Sequence, residues 1–90
     1  MKIERLADLK RIQVGTRLRL VHCLTGPVAP EKQLRTVERV QSNAIVVRVE
    51  HNGKDSWLRF PAAKDFKANA LGFVVLEGDE IAAQYVVEQA

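Results

Sequence analysis

Three strand-like runs, Leu34–Gln41, Ala44–His51 and Lys54–Pro61, are separated only by Ser42-Asn43 and Asn52-Gly53. Asn-Gly between extended runs is the strongest short hairpin signal, because both central residues of a tight primed turn need positive φ. Ser-Asn is a weaker turn of the same kind, since asparagine tolerates the left-handed region. Connections this short join antiparallel neighbours, because a parallel crossover needs a dozen residues or more. The middle of the chain is therefore predicted to be a three-stranded meander.

The turns set a register. A two-residue loop at Asn52-Gly53 pairs Val49 with Ser56, Arg48 with Trp57, Val47 with Leu58 and Val46 with Arg59. A two-residue loop at Ser42-Asn43 pairs Val40 with Ile45, Arg39 with Val46, Val37 with Arg48 and Arg35 with Glu50. Side chains alternate between faces along a strand. One face then holds Leu34, Thr36, Val40, Ile45, Val47, Val49, Leu58 and Phe60, an apolar set that reads as core. The other holds Arg35, Val37, Arg39, Val46, Arg48, Trp57 and Arg59, with Glu50 and Asp55 at one edge. Glu38 misfits: it falls on the core phase, so a bulge near it or a position at the rim is required.

Ninety residues make one domain. With 47% hydrophobic and 28% charged residues the composition is that of a folded globular chain. The lone cysteine, Cys23, excludes an intramolecular disulfide and fits a reducing cytoplasm. The start, Met1 to Arg5, lacks the apolar stretch of a signal peptide, and no run reaches the roughly 20 apolar residues of a membrane span. No membrane association is expected. Charge is uneven along the chain. Residues 1–39 carry nine Lys/Arg against four Asp/Glu, and residues 68–90 carry none against four. A basic front suits nucleic acid or an acidic protein partner.

Ile3, Leu6, Ala7 and Leu9 are spaced as on a short amphipathic helix, too short to persist unless it packs on the body. Thr16–Leu24 reads as a strand. Leu18, Leu20 and Leu24 share one phase with His22 among them, and Arg17 and Arg19 share the other. Thr25–Gln33, with Gly26, Pro27 and Pro30, reads as a loop. Pro61–Phe66 suits a helical turn opened by proline. Leu71–Glu77 and Glu80–Glu88 form a last hairpin across Gly78-Asp79. Pairing Glu77 with Glu80 puts Val74, Leu76, Ile81, Ala83, Tyr85 and Val87 on one face, with Gly72 opposite Tyr85. The other face holds Leu71, Phe73, Val75, Ala82 and Val86 with only Gln84 polar. Both faces are apolar, although a hairpin in a one-sided sheet has a wet face. The second face therefore calls for a cover, either the N-terminal helix or another chain.

The expected fold is mainly β, a small antiparallel β-barrel or curved sheet of five to six strands. A short N-terminal helix and one helical turn before the final hairpin complete it. This layout resembles small barrels of the Src-homology-three type, in which a helical turn precedes the last strand; the resemblance is one of architecture and implies no ligand. An oligonucleotide-binding fold is the alternative.

For function, arginines neutralise phosphates and an exposed aromatic stacks on bases. The expected nucleic-acid-binding face is Arg17, Arg19, Arg35, Arg39, Arg48, Trp57 and Arg59, with Arg48 stacked on Trp57. The plain alternative is a solvated face whose arginines pair with Glu50 and Asp55. A competing class is a protein-protein adaptor, inhibitor or self-associating subunit. It would use Leu71, Phe73, Val75 and Val86, giving a homodimer. Catalysis and cofactors are not expected. His22, Cys23 and His51 lack the spacing of a metal site, and His22 and Cys23, adjacent on a strand, point to opposite faces. A Cys23–His51 nucleophile pair has no orienting group. The glycines are scattered turn residues rather than a phosphate-binding loop.

Overall fold

Eight strands and one short helix build residues 2–88, the part of the chain that this computed structural model describes. In chain order they are α1 (Leu6–Leu9), β1 (Arg17–Cys23), β2 (Gly26–Pro27), β3 (Leu34–Val40), β4 (Ala44–Val49), β5 (Asp55–Arg59), β6 (Phe66–Asn69), β7 (Gly72–Glu77) and β8 (Glu80–Glu88). Single 3-10 turns occupy Pro30–Lys32 and Ala63–Asp65. The second lies inside the helical turn predicted at Pro61–Phe66. All pairings are antiparallel. The sheet runs β5-β4-β3-β1-β8-β7-β6, with β2 folded back on β1. Thus β1 and β8 join the two ends of the chain, and β5 and β6 are the outer strands. Among the described residues no helix is long and apolar enough to cross a membrane.

The expectation of five to six strands and a barrel is corrected to eight strands in an open sheet. The two additional strands, β2 and β6, have two and four residues. Segments so short show no readable period, and β2 contains a proline.

Register is where the meander departs most from the expectation. The β4–β5 turn is a four-residue loop, Glu50 to Gly53, closed by the Val49 amide donating to the Lys54 carbonyl at 2.8 Å. Gly53 has φ +69°, but among the described residues no non-glycine residue has positive φ. The primed turn expected at Asn52-Gly53 is therefore absent. Asn52 instead accepts the Lys54 amide on its side-chain oxygen at 2.9 Å, the local competition asparagine offers to a tight turn. The pairing moves by two residues, to Val46 opposite Trp57 and Arg48 opposite Asp55. An even shift leaves every side chain on its expected face.

Odd shifts occur at three bulges, and each reverses the faces beyond it. Glu38 is an extra residue between Val37 and Arg39, so Val37 pairs with Val47 and Arg35 with Val49. Val37, expected outside, is buried, and Arg35 shares its inner phase opposite Leu18. Val21 is the extra residue in β1, so Cys23 pairs with Ala83 and His22 with Gln84. Ala82 is the extra residue in β8. The Glu77–Glu80 pair holds as expected, yet beyond the bulge Phe73 faces Tyr85 and Gly72 faces Val86. The bulge in β8 exchanges which residues of the apolar hairpin face the core. The bulge turns Phe73 inward beside Tyr85 and Val87, leaving Val74 and Gln84 outside.

One core fills the inner face. Ile3, Leu9 and Ile12 of the N-terminal segment pack with Leu18, Val37, Ile45, Val47, Leu58, Phe73, Tyr85 and Val87. Each such side chain contributes about 1.5–3 kcal/mol on burial, so this segment is held by the sheet rather than by its own four-residue helix. Asp8 ties the helix start down, its carboxylate accepting the Glu4 and Arg5 backbone amides at 3.0 Å each. Those amides hold the Asp8 carboxyl below the usual carboxylate range, and the Arg19 guanidinium does the same for Glu88. Both groups bind protons more weakly folded than unfolded. Their stabilisation is present above the ordinary carboxylate pKa and is lost as pH falls through the folded values. Urea midpoints should be flat from neutral pH to about pH 5 and fall below about pH 4. Asp8→Asn should shallow that fall. An unchanged acid slope in the variant would show that Asp8 carries none of it.

Candidate nucleic-acid interface

The outer face is organised by cross-strand rows. In one row Thr36, Arg48 and Asp55 lie on β3, β4 and β5, and the bulged Glu38 reaches into it. In the next, Arg39, Val46 and Trp57 lie side by side. Val46 is fully buried on this outer face, with Arg39 and Trp57 as its cross-strand neighbours. The Arg39 guanidinium carbon stands 5.9 Å from the Trp57 ring centroid, within the range of a cation–π contact. The stacking partner of Trp57 is thus Arg39 and not Arg48, a consequence of the two-residue shift between β4 and β5.

Most of the expected arginines are already engaged. Arg48 lies 3.2 Å from Glu38 and 3.4 Å from Asp55. Arg17 meets Glu50 at 3.2 Å. Arg19 grips Glu88 with two nitrogens, at 2.7 and 3.2 Å, a fork geometry that raises its own already high pKa through the Glu88 hydrogen bond. Arg35 does not reach the outer face. Its guanidinium donates to the carbonyls of Lys32 and Gln33 at 2.7 and 2.6 Å. Exposed ion pairs add little stability, but they neutralise the charge a phosphate would need. Among the described residues Arg39 and Arg59 form no ion pair.

What remains is compact. Trp57 is 56% exposed, and with Arg59, Asn43 and Ala44 it lines an open cavity of about 350 Å³. Ala44 pairs with Arg59, and its small side chain leaves the room beside the indole. Asn43 and Ala44 were not expected in the site, because the sequence marks them only as a turn and a strand start. Glu38 and Glu88 were missed as arginine partners. The misfit of Glu38 on the core phase was its signal, whereas Glu88 lies 69 residues from Arg19 and carried none.

The other expected sites separate. Phe73 is buried and Val75 packs against the core. Of the expected apolar interface Leu71, 60% exposed at the Ala70-Leu71 turn, and the half-buried Val86 border an open cavity of about 360 Å³, and the buried Phe73 forms part of its floor. The Val21 bulge also exchanges the expected phases of His22 and Cys23. The Cys23 thiol lies 3.0 Å from the Thr25 hydroxyl and 3.6 Å from the Gly26 carbonyl, and the Thr25 hydrogen bond lowers its pKa. His51 is exposed in the β4–β5 loop. Among the described residues no three His, Cys, Asp or Glu side chains are grouped to hold a metal ion. Compared with known proteins, the chain matches no family model, no curated protein and no solved structure.

Proposed function

We propose that this protein is a non-enzymatic binding module that holds single-stranded nucleic acid on the Arg39–Trp57–Arg59 part of its outer face. The observation that carries this reading is an exposed indole flanked by two arginines without carboxylate partners among the described residues. An aromatic ring in the open stacks on a base only if that base is unstacked, which favours single strands over duplex. Arg39 and Arg59 supply phosphate contacts, and the cavity beside Asn43 and Ala44 takes the edge of the stacked base. The adaptor reading that relies on the C-terminal hairpin loses Phe73 to the core and keeps only Leu71 and Val86.

The test is fluorescence anisotropy of a labelled mixed-sequence oligonucleotide at low salt. Two phosphate contacts predict a slope of about −1.4 for log affinity against log salt, far shallower than a face of six arginines would give. Trp57→Ala should cost about 1–3 kcal/mol of binding, the usual worth of one stacked base. Arg39→Glu should abolish binding, while Arg17→Glu, whose arginine is held by Glu50, should change it little. Absence of binding by the wild type, or equal losses for Arg17→Glu and Arg39→Glu, would refute the reading.

A further inference from the structure

Strand β5 is an open edge whose backbone groups can be assigned one by one. The β4–β5 ladder is bracketed by the Val49 amide on the Lys54 carbonyl at 2.8 Å and the Phe60 amide on the Asn43 carbonyl at 3.0 Å. In an antiparallel pair, hydrogen-bonded and non-hydrogen-bonded residues alternate. Lys54, Ser56, Leu58 and Phe60 therefore turn their backbone groups to β4, and Asp55, Trp57 and Arg59 turn theirs away from it. Among the described residues no strand lies beyond β5. Edge strands are normally guarded by short length, charged side chains, proline or a bulge. The guards in Asp55–Arg59 are two side chains of opposite charge, Asp55 and Arg59, with no bulge, and opposite charges block a foreign strand but not one that presents them in reverse order.

We infer that β5 pairs with β5 of a second copy of this chain, antiparallel, about a two-fold axis through Trp57. The charge pattern of Asp55-Ser56-Trp57-Leu58-Arg59 is self-complementary. On that axis Trp57 meets Trp57 of the second copy, Asp55 faces its Arg59, and Arg59 faces its Asp55. All three pairs fall on residues whose backbone groups point outward, so each pair exchanges both backbone hydrogen bonds. The neighbouring registers that keep this parity are worse. One sets Trp57 against the partner copy's Asp55 and Arg59 against its turn residue Gly53. The other sets Asp55 against Pro61, which has no amide to give. A closed two-fold contact needs such a self-matching patch, and the register centred on Trp57 is the one that supplies it. The pairing needs no ligand. Arg39, two strands in from the edge, stays clear of it in both copies, but Trp57 and Arg59 belong to both surfaces, so the pairing does not rest on the nucleic-acid reading and competes with it for those two side chains.

Light scattering on the purified protein without nucleic acid, at about 100 μM and low salt, tests the inference. The wild type should show about twice the 10.1 kDa chain mass. Asp55→Arg sets arginine against arginine across the axis, and Arg59→Asp sets aspartate against aspartate, so each alone should be monomeric with an unchanged circular dichroism spectrum. Mixed in equal amounts, the two variants complement each other and should return to the dimer mass. A wild type that stays at the chain mass leaves the edge to a strand of another protein and overturns the proposal. So does a dimer that survives both single variants, or a mixture that remains monomeric.

Discussion

Phe73→Asp should leave no folded protein at 25 °C. Phe73 is 1% exposed, stacks on Tyr85 with ring centroids 5.2 Å apart, and touches Phe66 at 6.1 Å. Truncating such a ring to alanine costs about 3–5 kcal/mol, against a total stability of about 5–15 kcal/mol for a domain. Aspartate adds the cost of a buried charge without a partner. Leu71→Asp, two residues away at an exposed turn, should shift stability by no more than about 0.5 kcal/mol. Urea denaturation followed by circular dichroism separates the two. A cooperative, native-like transition for Phe73→Asp would return Phe73 to the outer face and remove the Ala82 bulge from the hairpin.

Gly72→Ala should be nearly as damaging for the opposite reason, too little space. A Cβ at this position would overlap the Tyr85 carbonyl oxygen and sit 2.9 Å from the Val86 Cα and 3.0 Å from the Tyr85 carbonyl carbon. All three are backbone atoms of the adjacent strand, so no rotamer change relieves the clash. The hairpin must open where the Leu71 carbonyl receives the Val87 amide at 2.8 Å. Overpacking of this kind costs about 3 kcal/mol, the upper end of its usual range. The measurement is the urea midpoint at constant slope. A shift equivalent to less than about 1 kcal/mol would mean that β7 and β8 are farther apart here.

The three bulges share a history in the sequence. Glu38 fell on the core phase of the meander. His22 fell among the leucines of β1. The last hairpin was apolar on both faces. Each misfit marks a stretch where strict alternation fails, and a bulge restores it by inserting one residue: Glu38, Val21 and Ala82. Alternation is the strongest signal a strand carries. A departure from it shows that the register slips without showing where, because either neighbour of the misfit can be the extra residue. The candidate site carries the consequences. Strict alternation without the Glu38 bulge puts Arg35 outside, and a two-residue turn in place of the four-residue Glu50–Gly53 loop puts Arg48 on Trp57.

What the sequence alone determined is local. It specified the 34–61 meander, the inward phase of Ile45, Val47 and Leu58, the Glu77–Glu80 turn, a helical turn between β5 and β6, and the apolar spacing of the N-terminal segment. Turn chemistry and period-two patterning act over a few residues, so those residues are sufficient to reveal them. Tertiary structure alone decided the rest: the joining of β1 to β8, the cover of Ile3, Leu9 and Ile12, the inward turn of Phe73, and the pairing of Arg19 with Glu88. Each of these depends on residues far apart in the chain. Their arrangement is selected by the burial of one shared core and by which arginines find carboxylates at its rim, and neither quantity is written in any short stretch of sequence.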